Sequence, residues 1–166
     1  MAAKLPQVLA INLIKDARSY VECAQLLDQH LHQLGKVFDQ NQHQLGPPHM
    51  VPMYFLLCQA MELALKAHLA ASGVPEETLR DIRHDIDKAF RMAHDDYGFV
   101  PADNSFSDLV QWLAPYHRDH LFRYRKGIGQ INLPLASEAA KIILETITEI
   151  DRYVRGQHAN ATAKKQ

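Results

Sequence analysis

A chain of 166 residues, 47% of them hydrophobic, is long and apolar enough to bury a core of its own, and it is read as one domain. Its formal charge of −1 with neutral histidines excludes a global polyanion binder, so any affinity for nucleic acid has to come from a local patch. Ten histidines add positive charge as pH falls through their reference pKa of ~6.5, so anion affinity is expected to depend on pH.

From Val8 to about Gln40, apolar residues including Ile11, Ile14, Ala17, Val21, Ala24, Leu27, Leu31, Leu34 and Phe38 recur at three- and four-residue spacing. This predicts one long amphipathic helix. Residues 41 to 52 contain Gly46, Pro47, Pro48 and Pro52 and are expected to form a loop or hinge. Met53 to Ala71 is apolar nearly all round, as a helix at the centre of a bundle would be. Gln59, Glu62 and Lys66 form its one polar stripe, and Glu62 and Lys66 stand in the favourable i,i+4 order for an ion pair. Ser72-Gly73 ends this helix.

A third helix is expected from Pro75, with Leu79, Ile82, Ile86, Phe90 and Ala93 inward. On its other side Arg80, His84, Asp87, Arg91 and His94 make a continuous polar stripe, most simply a solvated face with Asp87 paired to Arg91. Ser105 and Asp108 resemble a capping box for a fourth helix whose apolar face is Leu109, Trp112, Leu113 and Tyr116, with Pro115 kinking or restarting it. After Gly127 and Gly129, Asn132-Leu133-Pro134 opens a last helix with Leu135, Ala139, Ile142, Ile143, Ile147, Ile150 and Val154 inward. No window alternates as strands do. The expected fold is all-α, an antiparallel bundle of about five helices over residues 1–156, followed by a disordered tail at 157–166.

Cys23 and Cys58 form no Cys-x-x-Cys pair and are read as buried free thiols. No apolar run approaches the ~20 residues of a membrane span, and nothing before Lys15 and Asp16 reads as a signal sequence. A cytoplasmic protein without membrane contact is expected.

The segment least like core is Tyr116 to Lys126, where His117, Arg118, His120, Arg123, Arg125 and Lys126 alternate with Tyr116, Phe122 and Tyr124. On a shared surface these side chains would bind phosphate, carboxylate or nucleic acid, with the aromatics available for stacking. A dedicated metal site is not expected, and no cofactor is. His30 and His32 point to different helix faces, and His117 and His120 lack an obvious acidic partner motif. Nucleophile-elbow and phosphate-loop motifs are absent. Metal-independent acid–base chemistry on RNA needs a histidine to move protons and an arginine to stabilise phosphorane charge. His84, Arg118, His120 and Arg123 are of the right types.

Glu62-Leu63-Ala64-Leu65-Lys66-Ala67, then His84-Asp85-Ile86, then Phe122-Arg123-Tyr124-Arg125 before a final amphipathic helix resembles the HEPN superfamily of helical-bundle proteins. The resemblance spans roughly Pro52 to Arg155. It implies a four- or five-helix bundle, usually a homodimer, in toxin–antitoxin, defence or RNA-processing settings, with members that are RNases and others that are non-catalytic binding modules. The catalytic members carry an arginine followed, after four to six intervening residues, by a histidine near the start of the last helix. Here that spacing occurs only from Arg152 to His158, at the far end of that helix, while Arg118 and His120 are too close together and His84 lies well upstream. The departure counts against RNase activity and leaves the fold expectation in place.

The resulting expectation is a dimeric, cytoplasmic HEPN-like module that binds RNA or a nucleotide through Arg118 to Lys126, assisted by Glu62, Lys66, His84 and His117. The alternatives are a metal-independent endoribonuclease and a protein-interaction module without a ligand, and a partner protein is compatible with either. Arg123 could instead pair with Glu62 in a purely structural role.

Overall fold

Helical periodicity does produce a long first helix, α1 (Leu5–Gln33), which buries Ala10, Ile14, Ala17, Val21, Ala24 and Leu31 along one face. The computed structural model describes residues 5–33, 50–124 and 133–163, with backbone alone at 5, 123–124 and 161–163. Leu34, Phe38, the loop expected before Met50 and the residues from Arg125 to Asn132 lie outside the described residues.

Helix α2 (Met50–Ala71) begins three residues earlier than its composition suggests, taking in Pro52. Proline is tolerated there because the first turn of a helix leaves its N–H groups unpaired in any case. Met53, Tyr54, Leu57, Cys58, Met61, Ala64, Leu65 and Leu69 are all buried. By length and composition α2 could cross a membrane, contrary to the expectation that no such segment exists; here most of it is buried within the fold. It ends at Gly73, whose φ of +91° lets the amides of Gly73 and Val74 close onto the carbonyls of Ala70 and Leu69.

The single third helix expected from Pro75 is two short ones, α3 (Glu76–Asp81) and α4 (Ile86–Arg91), the latter continued by a π-helical turn over Met92–Asp96. Arg83 adopts φ +54° at the break, and Asp85 caps α4 by accepting from the Lys88 amide at 3.0 Å. The polar stripe is therefore interrupted at His84, although Arg91 does pair with Asp87 at 2.5 Å.

Helix α5 (Ser105–Arg118) lacks the expected capping box: Asn104 is its N-cap without a side-chain bond, and the Ser105 amide is held by Asp103 at 2.8 Å. Pro115 lies inside α5 and does not stop it. The chain breaks instead at Asp119–His120, before the single turn α6 (Leu121–Tyr124). Trp112, expected inward, is 43% exposed, while His117 lies on the buried face with Phe106, Leu109, Val110, Leu113 and Ala114.

Helix α7 (Ala136–Ala163) runs past Gly156, so the segment expected as a disordered tail is helical to Ala163. Its Ala139, Ile143, Ile147, Ile150 and Val154 are buried, whereas Leu135 is exposed. Helices α1, α2 and α7 pack on one another, and α4, α5 and α6 also pack on α2. No strand occurs among the described residues, and the fold is all-α. Both cysteines are free; Cys58 is buried as expected, but Cys23 is exposed on α1.

One core residue ties stability to pH. His68 on α2 is buried, stacks on Tyr153 at 4.5 Å and places Nε2 3.0 Å from the Tyr97 carbonyl; its Nδ1 has no hydrogen-bond partner among the described residues. Nε2 therefore donates, Nδ1 is a bare lone pair, and burial lowers the pKa of the imidazole despite the Tyr97 bond. The unfolded chain then takes up the proton more readily than the folded one. The contribution is complete above the unfolded value of ~6.5 and is lost as pH falls below it. Urea unfolding from about pH 7.5 to 5.5 should show a decline in stability that shrinks in His68→Gln. An equal decline in that variant would assign the effect to other histidines.

Candidate functional site

Glu62 is 3% exposed near the middle of α2, and three separate segments bring donors to its carboxylate. Lys66, one turn further along α2, donates from Nζ to Glu62 Oε1 at 2.7 Å and to the Arg83 carbonyl at 2.7 Å. The break between α3 and α4 presents that carbonyl and takes His84 out of the helix, with Nδ1 3.1 Å from Glu62 Oε2. The last turn of α5 delivers His117, whose Nε2 lies 3.0 Å from the same oxygen. An ionised carboxylate only accepts, so both imidazoles donate to it: His84 through Nδ1–H and His117 through Nε2–H.

Just past His117 the chain reverses at His120, where φ is +56° and the backbone amide donates to the His117 carbonyl at 3.1 Å. The His120 ring lies 5.5 Å from that of His84, and the His84 and His117 rings meet edge-on at 5.8 Å. Phe55 borders His117 at 6.0 Å. Arg83 and His120, the two non-glycine residues with positive φ among those described, thus both border the cluster, one through its carbonyl on Lys66 and the other through its ring beside His84. Left-handed backbone costs a side-chain-bearing residue ~1–3 kcal/mol and persists where the surroundings enforce it, commonly at functional sites.

Burial alone would raise the pKa of Glu62. Hydrogen bonds from His117, Lys66 and His84, with the Lys66 charge, outweigh it and hold the carboxyl at about 2. The centre of the cluster is thus a permanent anion with a lysine counter-charge. From the outside, the cluster offers the His84 ring, whose side chain is 45% exposed.

Of the residues expected at a site, Glu62, Lys66, His84, His117 and His120 come together. Arg118 points to solvent at the end of α5, 3.5 Å from Asp119. Side chains of Arg123 and Tyr124, and all of Arg125 and Lys126, lie outside the described residues, so the structure does not place the basic half of the segment. Two of its members are corrected: His117 is buried against Glu62, and Phe122 is buried between Tyr54 at 5.9 Å and Tyr116 at 5.7 Å, not free to stack on a base. Among the described residues Glu62 is paired by lysine and histidines. Arg83 and Phe55 were not singled out by sequence reasoning. Arg83 acts through its carbonyl, for which its residue type gives no signal.

Arg152 and His158 are both exposed on α7. His32 pairs with Asp28 on α1. Comparison with protein-family models, with curated proteins and with solved structures finds no match to this chain.

Proposed function

We propose that this chain is a HEPN-like helical-bundle module that binds a phosphate-bearing ligand, RNA or a nucleotide, at the edge of the cluster formed by His84 and His120. The observation behind this reading is His84, a 45%-exposed imidazole whose orientation is set by a buried carboxylate on Nδ1, so that in the imidazolium form its Nε2–H is the donor left for a phosphate oxygen. Arg118 is exposed two residues before His120 and adds a guanidinium donor suited to phosphate. The basic residues that follow in sequence, Arg123, Arg125 and Lys126, supply further charge along the chain. Local placement of this kind suits a protein with net charge −1, since affinity then comes from one patch.

A second reading, a metal-independent endoribonuclease, is favoured by one specific arrangement. A carboxylate orienting His84, with the His120 imidazole 5.5 Å away, provides two groups able to share general acid and base roles across one phosphodiester.

Fluorescence anisotropy of a labelled single-stranded RNA in EDTA, at low and moderate salt, tests both readings when the endpoint samples are run on a denaturing gel. The expected result is salt-sensitive binding to intact RNA that weakens roughly tenfold or more in His84→Ala, since a hydrogen bond to a charged group contributes ~1.5–3 kcal/mol. Shortened RNA in wild type but not in His84→Ala would install the nuclease reading. Absence of binding at low salt, or an unchanged affinity in His84→Ala, would overturn this site.

A further inference from the structure

We propose that Glu62 Oε2, His84 Nδ1 and His117 Nε2 form a site for one divalent transition-metal ion of the zinc class. The three donor atoms lie within 4.8 Å of one another, and the two nitrogen-to-oxygen separations are 3.0 and 3.1 Å. Neighbouring ligands around an ion with bonds of ~2.0–2.2 Å stand at about this spacing. The donors reach the point from α2, from the α3–α4 break and from α5, so the site exists only in the folded chain. Sequence spacing alone argued against such a site because no two of these residues share a local motif.

Two imidazoles and one carboxylate select the metal class. Calcium and magnesium take sets of oxygen ligands, whereas imidazole suits zinc, iron, cobalt, nickel and copper. None of the ligands has to give up a proton overall. Glu62 is already ionised, and each neutral imidazole moves its hydrogen from the nitrogen facing Glu62 to the other ring nitrogen as the ion takes the freed lone pair.

Lys66 shapes the site from outside it. Its ammonium holds Oε1 at 2.7 Å, so Glu62 has one oxygen left to offer, and ligation through it is monodentate. The lysine also cancels the carboxylate charge, so a bound divalent ion is left with two uncompensated positive charges. With three protein ligands a further coordination position stays open, and hydroxide or another anion placed there offsets part of that charge. Access runs past His84, since Glu62 and His117 are both buried.

The site does not depend on the RNA reading, because it is tested with metal alone. Cobalt(II) titrated into the full chain at near-neutral pH, after EDTA treatment and dialysis, should bind one equivalent and develop the visible absorption of low-symmetry cobalt. Zinc should displace it. Outer-shell partners alone change metal affinity ~10–100-fold, so losing a ligand in His84→Ala should weaken cobalt binding by about 100-fold or more. His84 is exposed enough for this variant to fold, whatever becomes of His117→Ala. A His30→Ala, His32→Ala double variant should bind as wild type does, which separates the cluster from exposed histidines. No stoichiometric binding, or binding that survives His84→Ala, would overturn the metal site, and the cluster would then be a closed hydrogen-bond network. RNA binding in EDTA would be unaffected by that result.

Discussion

Glu62→Gln should lower the unfolding free energy by about 3–5 kcal/mol, because it removes the anion from a buried ion pair and leaves its cation behind. Lys66, with a side chain only 12% exposed, would keep its charge beside a neutral amide, and the glutamine nitrogen would face donors on one side or the other. A pH series gives an independent reading of the same interaction. The folded carboxyl sits at about 2 against an ordinary 4.5, so its contribution is complete above the unfolded value and is lost as pH falls through the folded one. At 1.36 kcal/mol per unit that interval corresponds to roughly 3 kcal/mol, in line with the ion-pair figure. Urea unfolding in EDTA at neutral pH should show a lower midpoint for Glu62→Gln with an unchanged slope, and the gap between variant and wild type should narrow on acidification toward pH ~2. A gap below ~1 kcal/mol at neutral pH would mean that the cluster is held by its surroundings and not by the Glu62 charge.

The features of this cluster that were legible in the sequence are those that depend on local spacing. Glu62 and Lys66 are one turn apart on a helix whose apolar pattern is unmistakable, and their pairing follows from that pattern. The burial of Ile143, Ile147, Ile150 and Val154 on α7 was legible for the same reason. His84 was misread as part of a continuous stripe because periodicity persists across Ile82 and Ile86, while the break between them rests on Arg83 taking a left-handed conformation that residue type disfavours. Asp85 offered a hint, being a good N-cap residue directly ahead of Ile86. His117 was read as part of a basic surface because its neighbours are charged, yet helical geometry sets it three residues past Ala114 and four past Leu113, on the buried face. Nothing local could reveal that His84 and His117 converge on one oxygen of Glu62, 22 and 55 residues away along the chain, since that meeting belongs to the tertiary fold.

Phe122→Ala should cost about 3–5 kcal/mol of stability, the usual penalty for emptying a buried aromatic site. At ~2–4 °C per kcal/mol for a chain of this size, the midpoint of thermal unfolding should fall by roughly 10 °C. The ring is 4% exposed, lies against Tyr54 and Tyr116, and belongs to α6, a helix of four residues that has no stability without tertiary anchoring. Tyr54 is itself buried, and its hydroxyl donates to the Pro134 carbonyl, so the same contact reaches the segment that leads into α7. Phe122→Leu, which refills most of the space, should recover the larger part of the loss. A stacking residue would behave differently: its truncation would leave the melting midpoint in place and cost ~1–3 kcal/mol per base in RNA affinity. Thermal melts of both variants with anisotropy titrations separate the two roles. A melting point unchanged in Phe122→Ala, with RNA affinity reduced, would return the aromatic of this segment to the binding surface. A lowered midpoint restored by leucine makes Phe122 the anchor that fixes α6 behind the turn at His120.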